Sequence, residues 1–232
     1  MTQKELQSKF NISYFTMNYL LNISSKYKYI YFETPKVACS TIKRTLQELE
    51  DIHNVPRSPH DKINSPLKSP LDIESGVEIF DEYFKFSFVR NPYTRILSCY
   101  LQKFCNDNLE TRLKFLSKLN INKDIKLSFN DFLKALKDIP YKKYDIHYMP
   151  QYLLLGGGNL KLDYIGKFER FDIDFQNILF KIIGVNNLSI SNIIWHKTNA
   201  NTLIDNYLDD ESIKMINEIY SNDFLNYDYS FK

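Results

Sequence analysis

The stretch that decides the fold is Tyr29–Lys43, which reads YIYFETPKVACSTIK. Its first residues, Tyr29–Phe32, are aromatic or β-branched, which is typical of a buried strand. Beyond Ser40 the apolar residues recur at helical spacing. The apolar positions are Ile42, Leu46 and Leu49, with Lys43, Arg44, Gln47, Glu48 and Glu50 on the other face. The stretch therefore predicts a strand, a tight loop and a helix.

The loop between this strand and helix has the composition of a phosphate site. It contains Pro35 and Lys36, and it ends at Ser40 and Thr41. The first N–H groups of a helix and its dipole attract an anion, and a lysine adds a full positive charge. The nucleoside-triphosphate version of such a loop is written G-x-x-x-x-G-K-[ST]. Here the lysine comes early and the loop has no glycine, so a different phosphate ligand is indicated.

A second stretch with the same design is Lys85–Phe104, KFSFVRNPYTRILSCYLQKF. Phe86–Val89 is typical of a buried strand, and Arg90 follows at its carboxyl end, where ligands bind in open α/β sheets. Pro92 suits the first turn of a helix, which we expect to continue through Phe104. The guanidinium of Arg90 and the hydroxyl of Ser98 are donors that can grip a phosphate monoester.

Together the two stretches resemble the donor-binding elements of sulfotransferases that use PAPS, 3′-phosphoadenosine phosphosulfate. The likeness is closest to the Golgi-type carbohydrate sulfotransferases of family 2 and their bacterial relatives. The first stretch matches their P-K-x-x-x-[ST] loop, and the second matches R-x-P-x-x-R-x-x-S-x-Y. The matching residues are Pro35, Lys36 and Ser40 in the first and Arg90, Pro92, Arg95, Ser98 and Tyr100 in the second.

Three further segments look like the same family, so the likeness extends from about residue 29 to the end. Asp145–Gln151 is similar to D-x-H-[WY]-x-P-Q, and Tyr164–Phe175 to G-K-F-E-x-x-x-x-D-F with its preceding strand. The closing segment IYSNDFLNYDYSF is similar to Y-x-x-D-F-x-x-[FY]-x-Y. The resemblance implies an α/β fold of P-loop type, with a central parallel β-sheet flanked by helices in one domain, residues 1–232. Within it we expect an N-terminal helical extension (1–27, helix at 4–22), a PAPS-binding core (29–104) and a helical acceptor side (105–232).

The resemblance also implies the roles of individual residues. PAPS is the expected co-substrate, PAP its product, and no metal is implied. The expected donor-binding residues are Pro35, Lys36, Val37, Ala38, Cys39, Ser40, Thr41, Arg90 and Ser98. Negative charge grows on the leaving phosphate oxygen during an in-line transfer, and a cation stabilises it there. Lys36 is the candidate for that cation.

The acceptor hydroxyl needs a general base, and histidine has a suitable pKa. His60 lies in an irregular loop, residues 53–75, between the two donor elements, where the family places acceptor-side residues. His147 lies in the D-x-H-Y-x-P-Q segment. The sequence favours His60 slightly, and Glu169 is the next candidate. His53 and His196 have weaker context.

Composition excludes several other classes of protein. The formal charge of +2 is too small for nucleic-acid binding by bulk electrostatics. Cys39, Cys99 and Cys105 are odd in number and lack C-x-x-C spacing, so neither a disulfide framework nor a zinc site is indicated. We expect reduced thiols and a cytoplasmic location. No apolar run reaches the ~20 residues of a membrane span, and the N-terminus does not resemble a signal peptide.

The predicted function is thus transfer of a sulfuryl group from PAPS to a hydroxyl, on a carbohydrate or another acceptor. Golgi sulfotransferases carry an N-terminal anchor, and the expected absence of one here favours a soluble bacterial form. Enrichment in Lys, Asn and Ile with few Ala indicates an AT-rich genome. Three alternatives stay open: a P-loop kinase of a small molecule, a sulfotransferase for tyrosyl-protein or small alcohols, and a non-catalytic PAP-binding or nucleotide-binding module. Peripheral membrane association, the oligomeric state and the acceptor stay open too.

Overall fold

A computed structural model describes residues 3–10, 12–73, 79–105, 109–119, 122, 124–186, 188–190 and 198–232. The strands are β1 (Leu21–Ser24), β2 (Tyr29–Phe32), β3 (Phe84–Val89) and β4 (Tyr164–Lys167). The helices are α1 (Gln3–Ser8), α2 (Tyr14–Leu20), α3 (Cys39–Glu50), α4 (Ile79–Glu82), α5 (Pro92–Tyr100), α6 (Leu109–Lys118), α7 (Phe129–Lys137), α8 (Gln151–Leu154), α9 (Phe171–Ile183), α10 (Ala200–Leu203), α11 (Asp210–Ile219) and α12 (Ser221–Asn226). A π-helical turn, Leu101–Cys105, follows α5, and short 3₁₀ helices lie at Pro70–Asp72, Tyr141–Lys143, Phe168–Arg170 and Ile204–Asn206.

The chain divides into two compact units. The first comprises the described parts of residues 1–89 and 151–195, and the second those of 90–150 and 196–232. All four strands belong to the first unit. Among the described residues, no helix combines the length and the apolar character that crossing a bilayer requires.

The first unit is built on a four-stranded sheet in the order β1-β2-β3-β4. Strands β2, β3 and β4 are parallel, which confirms the predicted central parallel sheet, and β1 adds an antiparallel edge. Gly166 of β4 pairs with Phe88 of β3. A Cβ atom at Gly166 would lie 2.4 Å from the Phe88 ring, so this close packing of ring on backbone requires glycine.

Side chains from both faces of this sheet are buried against helices. On one face the strand aromatics form the main core with Val37 and residues of α3 and α9. The central members are Tyr29, Tyr31, Phe86 and Phe88 from the strands, Ile42 and Leu46 from α3, and Phe175, Ile178 and Leu179 from α9. On the other face Phe32 stacks with Phe10 at a centroid distance of 6.1 Å and meets the edge of Phe80 at 6.2 Å. The alternation of side chains along β2 therefore feeds two apolar layers.

The second unit is helical and has an aromatic core. The Phe132 ring of α7 lies 4.5 Å from that of Phe104 and 5.2 Å from that of Phe115, measured between centroids. Tyr100 of α5 and Tyr148 complete the cluster. Helices α7 and α11 are further joined by exposed ion pairs, such as Lys134–Glu211 at 3.0 Å.

Several sequence-based expectations are confirmed at the level of elements. The strands at Tyr29–Phe32 and Phe86–Val89, the helix after Ser40 and the helix starting at Pro92 are all present. The single helix expected over residues 4–22 is wrong, because α1 ends at Ser8, Ser13 caps a new helix by accepting from Thr16 N, and Leu21 begins β1. The N-terminal part, predicted to be a helical extension over 1–27, thus contributes a strand to the sheet.

Candidate functional site

The predicted donor loop joins β2 to α3 in the first unit. Lys36 and Ala38 both adopt left-handed backbone conformations, with φ of 71° and 52°. Such conformations cost energy for residues other than glycine, and they are often found at ligand sites. Pro35 and Val37 are buried, whereas Lys36 is half-buried. The loop thus turns sharply without glycine and anchors itself through Val37, which joins the main core.

Helix α3 begins directly after this loop. Ala38 occupies the N-cap position and has no side chain that can cap the helix. The first N–H groups of an α-helix lack intrahelical acceptors, and an anion can satisfy them. Ser40 and Thr41 lie in this first turn and are half-buried. The local geometry therefore suits the phosphate role that the sequence assigned to these residues.

The neighbouring Cys39 is not built as a nucleophile. Burial, together with the negative charge of Glu33, raises the pKa of the Cys39 thiol to about 11. A thiol with that pKa is protonated at neutral pH, and only the thiolate is strongly nucleophilic. We therefore read Cys39 as a packing residue of the loop.

A buried ion pair lies beneath the donor loop. Glu33 directly follows β2, Lys43 lies on α3, and Lys43 Nζ is 2.7 Å from Glu33 Oε2. The two side chains are 2% and 0% exposed. Burial alone would raise the pKa of Glu33, but the charge and the hydrogen bond of Lys43 outweigh it and lower that pKa. Lys43, on the polar face of the helix, is thus completely buried.

Part of the polar face of α3 is covered by the irregular loop that follows the helix, within residues 53–73. Arg44 Nη2 donates to the carbonyl oxygen of Arg57 at 2.8 Å, and Gln47 Nε2 donates to that of Pro59 at 3.2 Å. A loop that lies against the protein needs partners for its backbone carbonyls. Arg44 and Gln47 supply them and so fix the segment that ends at His60.

His60 consequently lies at the donor loop. Its Nε2 is 2.8 Å from Ser40 Oγ, and its Nδ1 is 2.7 Å from Lys43 Nζ. Tyr19 Oη lies 3.3 Å from the same Nδ1, and Glu33 Oε1 lies 3.6 Å from it. The structure thus brings together His60 and Ser40, two residues that the sequence assigned separately to catalysis and to donor binding.

Glu33, Cys39 and His60 are also the described residues whose ligand atoms are grouped closely enough to hold a metal ion, within 4.8 Å of one another. The ammonium of Lys43, however, already lies 2.7 Å from both Glu33 and His60. A cation there would be repelled by Lys43, and the Cys39 thiol would have to lose its proton. This donor set does not fit a metal ion.

The second predicted donor element begins the second unit. Arg90 is buried, and its Nε donates to Thr94 Oγ1 at 3.1 Å while its Nη2 donates to Asn201 Oδ1 at 2.5 Å. Ser98, one helix turn beyond Thr94, is buried and accepts a hydrogen bond from Thr198 Oγ1 at 3.0 Å. These bonds hold the guanidinium and the hydroxyl in fixed orientations. The role of both residues toward a phosphate stays a prediction.

Arg95 belongs to the same motif, but its contacts are with backbone carbonyl oxygens. It is 1% exposed, and its guanidinium donates to the carbonyl oxygens of Met149 at 2.8 Å and Ile146 at 3.3 Å. Tyr220 Oη donates to the carbonyl oxygen of Tyr148 at 2.7 Å. Arg95 and Tyr220 therefore fix the backbone on both sides of His147.

His147 forms a tight pair with Asp145 in the second unit. His147 Nδ1 lies 2.5 Å from Asp145 Oδ1, which also accepts from the His147 backbone N–H at 2.9 Å. Burial opposes ionisation of Asp145, but these hydrogen bonds and the charge of His147 prevail and lower its pKa to about 2. An ionised Asp145 holds the proton of His147 on Nδ1, which leaves the basic lone pair on Nε2.

The other candidates have weaker settings. Glu169 is exposed in the first unit, within the 3₁₀ turn that follows β4. His53 is exposed, and its backbone N–H donates to Asp51. His196 lies outside the described residues. The sequence reasoning missed Glu33, Lys43 and Asp145 as site residues. An acidic residue directly after a buried strand was the available signal, because such a residue needs a cationic partner.

Known proteins match this chain over a stretch that contains these residues. The model of the sulfotransferase family matches residues 19–230. Carbohydrate sulfotransferase 14 of Danio rerio is 31% identical over 175 residues, covering 69% of this chain and 47% of the relative. The Mus musculus protein of the same name is 29% identical over 180 residues, covering 68% and 45%. Carbohydrate sulfotransferase 12 of Mus musculus is 26% identical over 214 residues, covering 73% and 49%. The chain thus spans about half the length of these relatives, and no solved structure matches it significantly.

Proposed function

Because the chain belongs to the sulfotransferase family, we propose that it transfers a sulfuryl group from PAPS to a hydroxyl group of a carbohydrate. The observation that carries the proposal is the family match over residues 19–230, which includes both phosphate motifs. The relatives reported above are all named carbohydrate sulfotransferases, which supports the acceptor class. The individual glycan and the hydroxyl that is sulfated are left open.

The donor loop supplies the first set of contacts in this proposal. Ser40, Thr41 and the backbone N–H groups at the start of α3 would bind the 5′-phosphate of PAPS. Pro35, Val37, Ala38 and Cys39 would shape the loop around it. Arg90 and Ser98, each held by a neighbouring side chain, would bind the 3′-phosphate. A guanidinium suits that role because it can bind a phosphate monoester through two parallel hydrogen bonds.

The chemistry asks mainly for positioning and for charge stabilisation. By analogy with phosphoryl transfer, the transition state is loose and in line. The bond from sulfur to the leaving phosphate oxygen breaks while the acceptor oxygen attacks, and negative charge grows on the leaving oxygen. Lys36 follows Pro35 at the turn of the loop, and its ammonium would stabilise that charge. The proposal uses no metal ion.

His147 is the proposed base that takes the proton of the acceptor hydroxyl. Asp145 holds Nδ1–H, orients the ring and stabilises the imidazolium that forms, as the acid does in a hydrolase triad. His60, which the sequence favoured slightly, remains a candidate for the same role. Its contacts with Ser40 and Lys43, however, support a positioning role at the donor loop.

The alternatives meet specific obstacles. A small-molecule kinase would require a late Gly-Lys-[Ser/Thr] in the loop, which the sequence lacks, and a carboxylate for magnesium. Glu33 lies beneath the loop, but its charge is taken by Lys43. A non-catalytic PAP-binding module would not need the Asp145–His147 pair. A tyrosyl-protein or small-alcohol acceptor would change the acceptor side alone. The cytoplasmic location and bacterial source stay predictions.

Differential stabilisation by nucleotides tests the proposal. PAP at a hundredfold excess over its dissociation constant should stabilise the fold by about 2.7 kcal/mol. ATP should stabilise it less, because it lacks the 3′-phosphate that Arg90 and Ser98 would bind. Thermal unfolding with each nucleotide measures the difference. Equal shifts from both, or ATP binding that depends on magnesium, would contradict the proposal and favour a kinase.

A further inference from the structure

We propose that Lys43 and Glu33 lock His60 in the tautomer that carries its proton on Nε2, and that His60 thereby orients the Ser40 hydroxyl toward the donor's phosphate. His60 would then be a positioning residue of the donor loop. The inference rests on the proposed function for the identity of the phosphate ligand. The lock itself rests on contacts within the first unit.

Both side chains of the pair beneath His60 are charged. Lys43 and Glu33 are almost completely buried and lie 2.7 Å apart. Separating the charges or neutralising one of them in that setting is costly. Lys62 adds a second cation near Glu33, and although burial opposes ionisation, the charges of Lys43 and Lys62 lower the pKa of Glu33. Glu33 is therefore ionised, and Lys43 is its ammonium partner.

The Lys43 ammonium determines which ring nitrogen of His60 carries the proton. An ammonium group can donate hydrogen bonds but cannot accept them. Lys43 Nζ lies 2.7 Å from His60 Nδ1, so Nδ1 must be the acceptor and carry no proton. The other tautomer would place an Nδ1–H against the Lys43 ammonium at 2.7 Å, and the acceptors beside it, Tyr19 Oη at 3.3 Å and Glu33 Oε1 at 3.6 Å, lie farther away. The proton of neutral His60 is thus on Nε2.

This tautomer of His60 orients the hydroxyl of Ser40. His60 Nε2–H lies 2.8 Å from Ser40 Oγ and donates to it. A hydroxyl has one proton and two lone pairs. Because one lone pair accepts from His60, the hydroxyl proton is directed to another acceptor. Ser40 is the second residue of α3, where an anion at the helix start would accept it.

The same contacts argue against His60 as the general base. In this tautomer the lone pair of Nδ1 accepts from Lys43, and Nε2 carries a proton rather than a lone pair. Protonating Nδ1 would place an imidazolium N–H against an ammonium at 2.7 Å, which is strongly unfavourable. Positioning and proton abstraction at His60 therefore make opposite predictions for a substitution that keeps the N–H donor and removes the basicity.

Glutamine provides that substitution, since its amide NH₂ can replace Nε2–H and is not basic. With PAP as the probe in calorimetry, His60→Ala should weaken binding about tenfold, as expected for losing support of one charge-assisted hydrogen bond. His60→Gln should bind PAP within about threefold of wild type, since the donated hydrogen bond is kept, and should keep most of the turnover. His53→Ala, at an exposed site at the start of the same irregular loop, is the matched control. A His60→Gln variant as impaired in turnover as His60→Ala would overturn the inference in favour of a base.

The tautomer can be measured in the wild-type protein without any ligand. In the wild-type protein labelled with ¹⁵N-histidine, the nitrogen shifts and the ring-proton couplings report which nitrogen carries the proton, and His60→Gln assigns the signals. The expected result is a neutral ring protonated on Nε2. A ring protonated on Nδ1 would overturn the inference while leaving the sulfotransferase proposal intact. Failure of the wild-type protein to bind PAP would instead overturn the proposed function.

Discussion

Neutralising either Glu33 or Lys43 is the most informative perturbation of the donor region. Glu33→Gln leaves the ammonium of Lys43 buried without its carboxylate, and Lys43→Met leaves the carboxylate without its ammonium. Both side chains are at most 2% exposed. Removing one partner of a buried ion pair costs roughly 3–5 kcal/mol of the free energy of unfolding. At about 2–4 °C per kcal/mol for a chain of this length, the melting temperature should fall by about 6–20 °C.

The assay is a double-mutant cycle. Urea unfolding followed by far-UV circular dichroism gives the free energy of unfolding for wild type, both single variants and the double variant. The double variant, Glu33→Gln with Lys43→Met, leaves no unpaired charge, so it should be less destabilised than either single variant. Lys134→Met and Glu211→Gln form the control cycle. That pair is 3.0 Å apart but about half exposed, and each change should cost at most about 1 kcal/mol.

Two results would refute this reasoning. The first is a pair of single variants that both remain within about 1 kcal/mol of wild type, as surface ion pairs do. The second is strict additivity, in which the double variant loses the sum of the two single losses. Either would mean that Lys43 and Glu33 are not a coupled buried pair, and the argument for the His60 tautomer would lose its foundation.

The remaining predictions concern catalysis. Lys36→Ala should reduce kcat much more than PAP affinity, because the contact of Lys36 strengthens as the leaving oxygen gains charge, whereas Arg90→Ala should mainly raise the KM for PAPS. Steady-state kinetics and PAP calorimetry would separate the two effects. A near-normal kcat in the Lys36 variant would contradict the role of Lys36 at the leaving oxygen. His147→Ala should lower kcat by roughly 10²–10⁴ with little change in PAP affinity, and should abolish the acidic limb of the pH–rate profile, because a protonated ring cannot act as the base. If His147→Ala keeps the wild-type rate and profile while His60→Gln loses both, the base is His60, and if neither substitution matters, Glu169 is next.

The sequence predicted the elements that carry the donor motifs because those elements are local. The aromatic run of Tyr29–Phe32 and the helical spacing after Ser40 depend on neighbours in the chain, and both are confirmed. The same reasoning failed for residues 4–22. There the apolar residues at Phe10 and Met17 fitted one helix, but Ser13 caps a second helix by accepting from the N–H of Thr16, and Leu21–Ser24 pairs with β2. Pairing with a distant strand is a tertiary effect that periodicity does not encode.

The side chains around the site were harder to predict than the elements. Lys43, Arg44 and Gln47 look like a solvent face on a helical wheel, yet they are buried beneath the loop that carries His60. The loop has no regular pattern, so its path over α3 could not be read from spacing. Asp145 and His147, by contrast, are two residues apart, and a carboxylate so near a histidine was a readable signal for the pair that the structure shows.

Transfer of labelled sulfate measures the central claim most directly. The purified protein is incubated with [³⁵S]PAPS and a panel of unsulfated and partly sulfated glycans, and label in the glycan fraction is counted, with Lys36→Ala as the matched inactive variant. We expect label to enter at least one carbohydrate with wild-type protein and to fall sharply with Lys36→Ala. Label that never leaves PAPS with any glycan, from a protein that binds PAP, would contradict carbohydrate sulfation and favour a non-catalytic PAP-binding module.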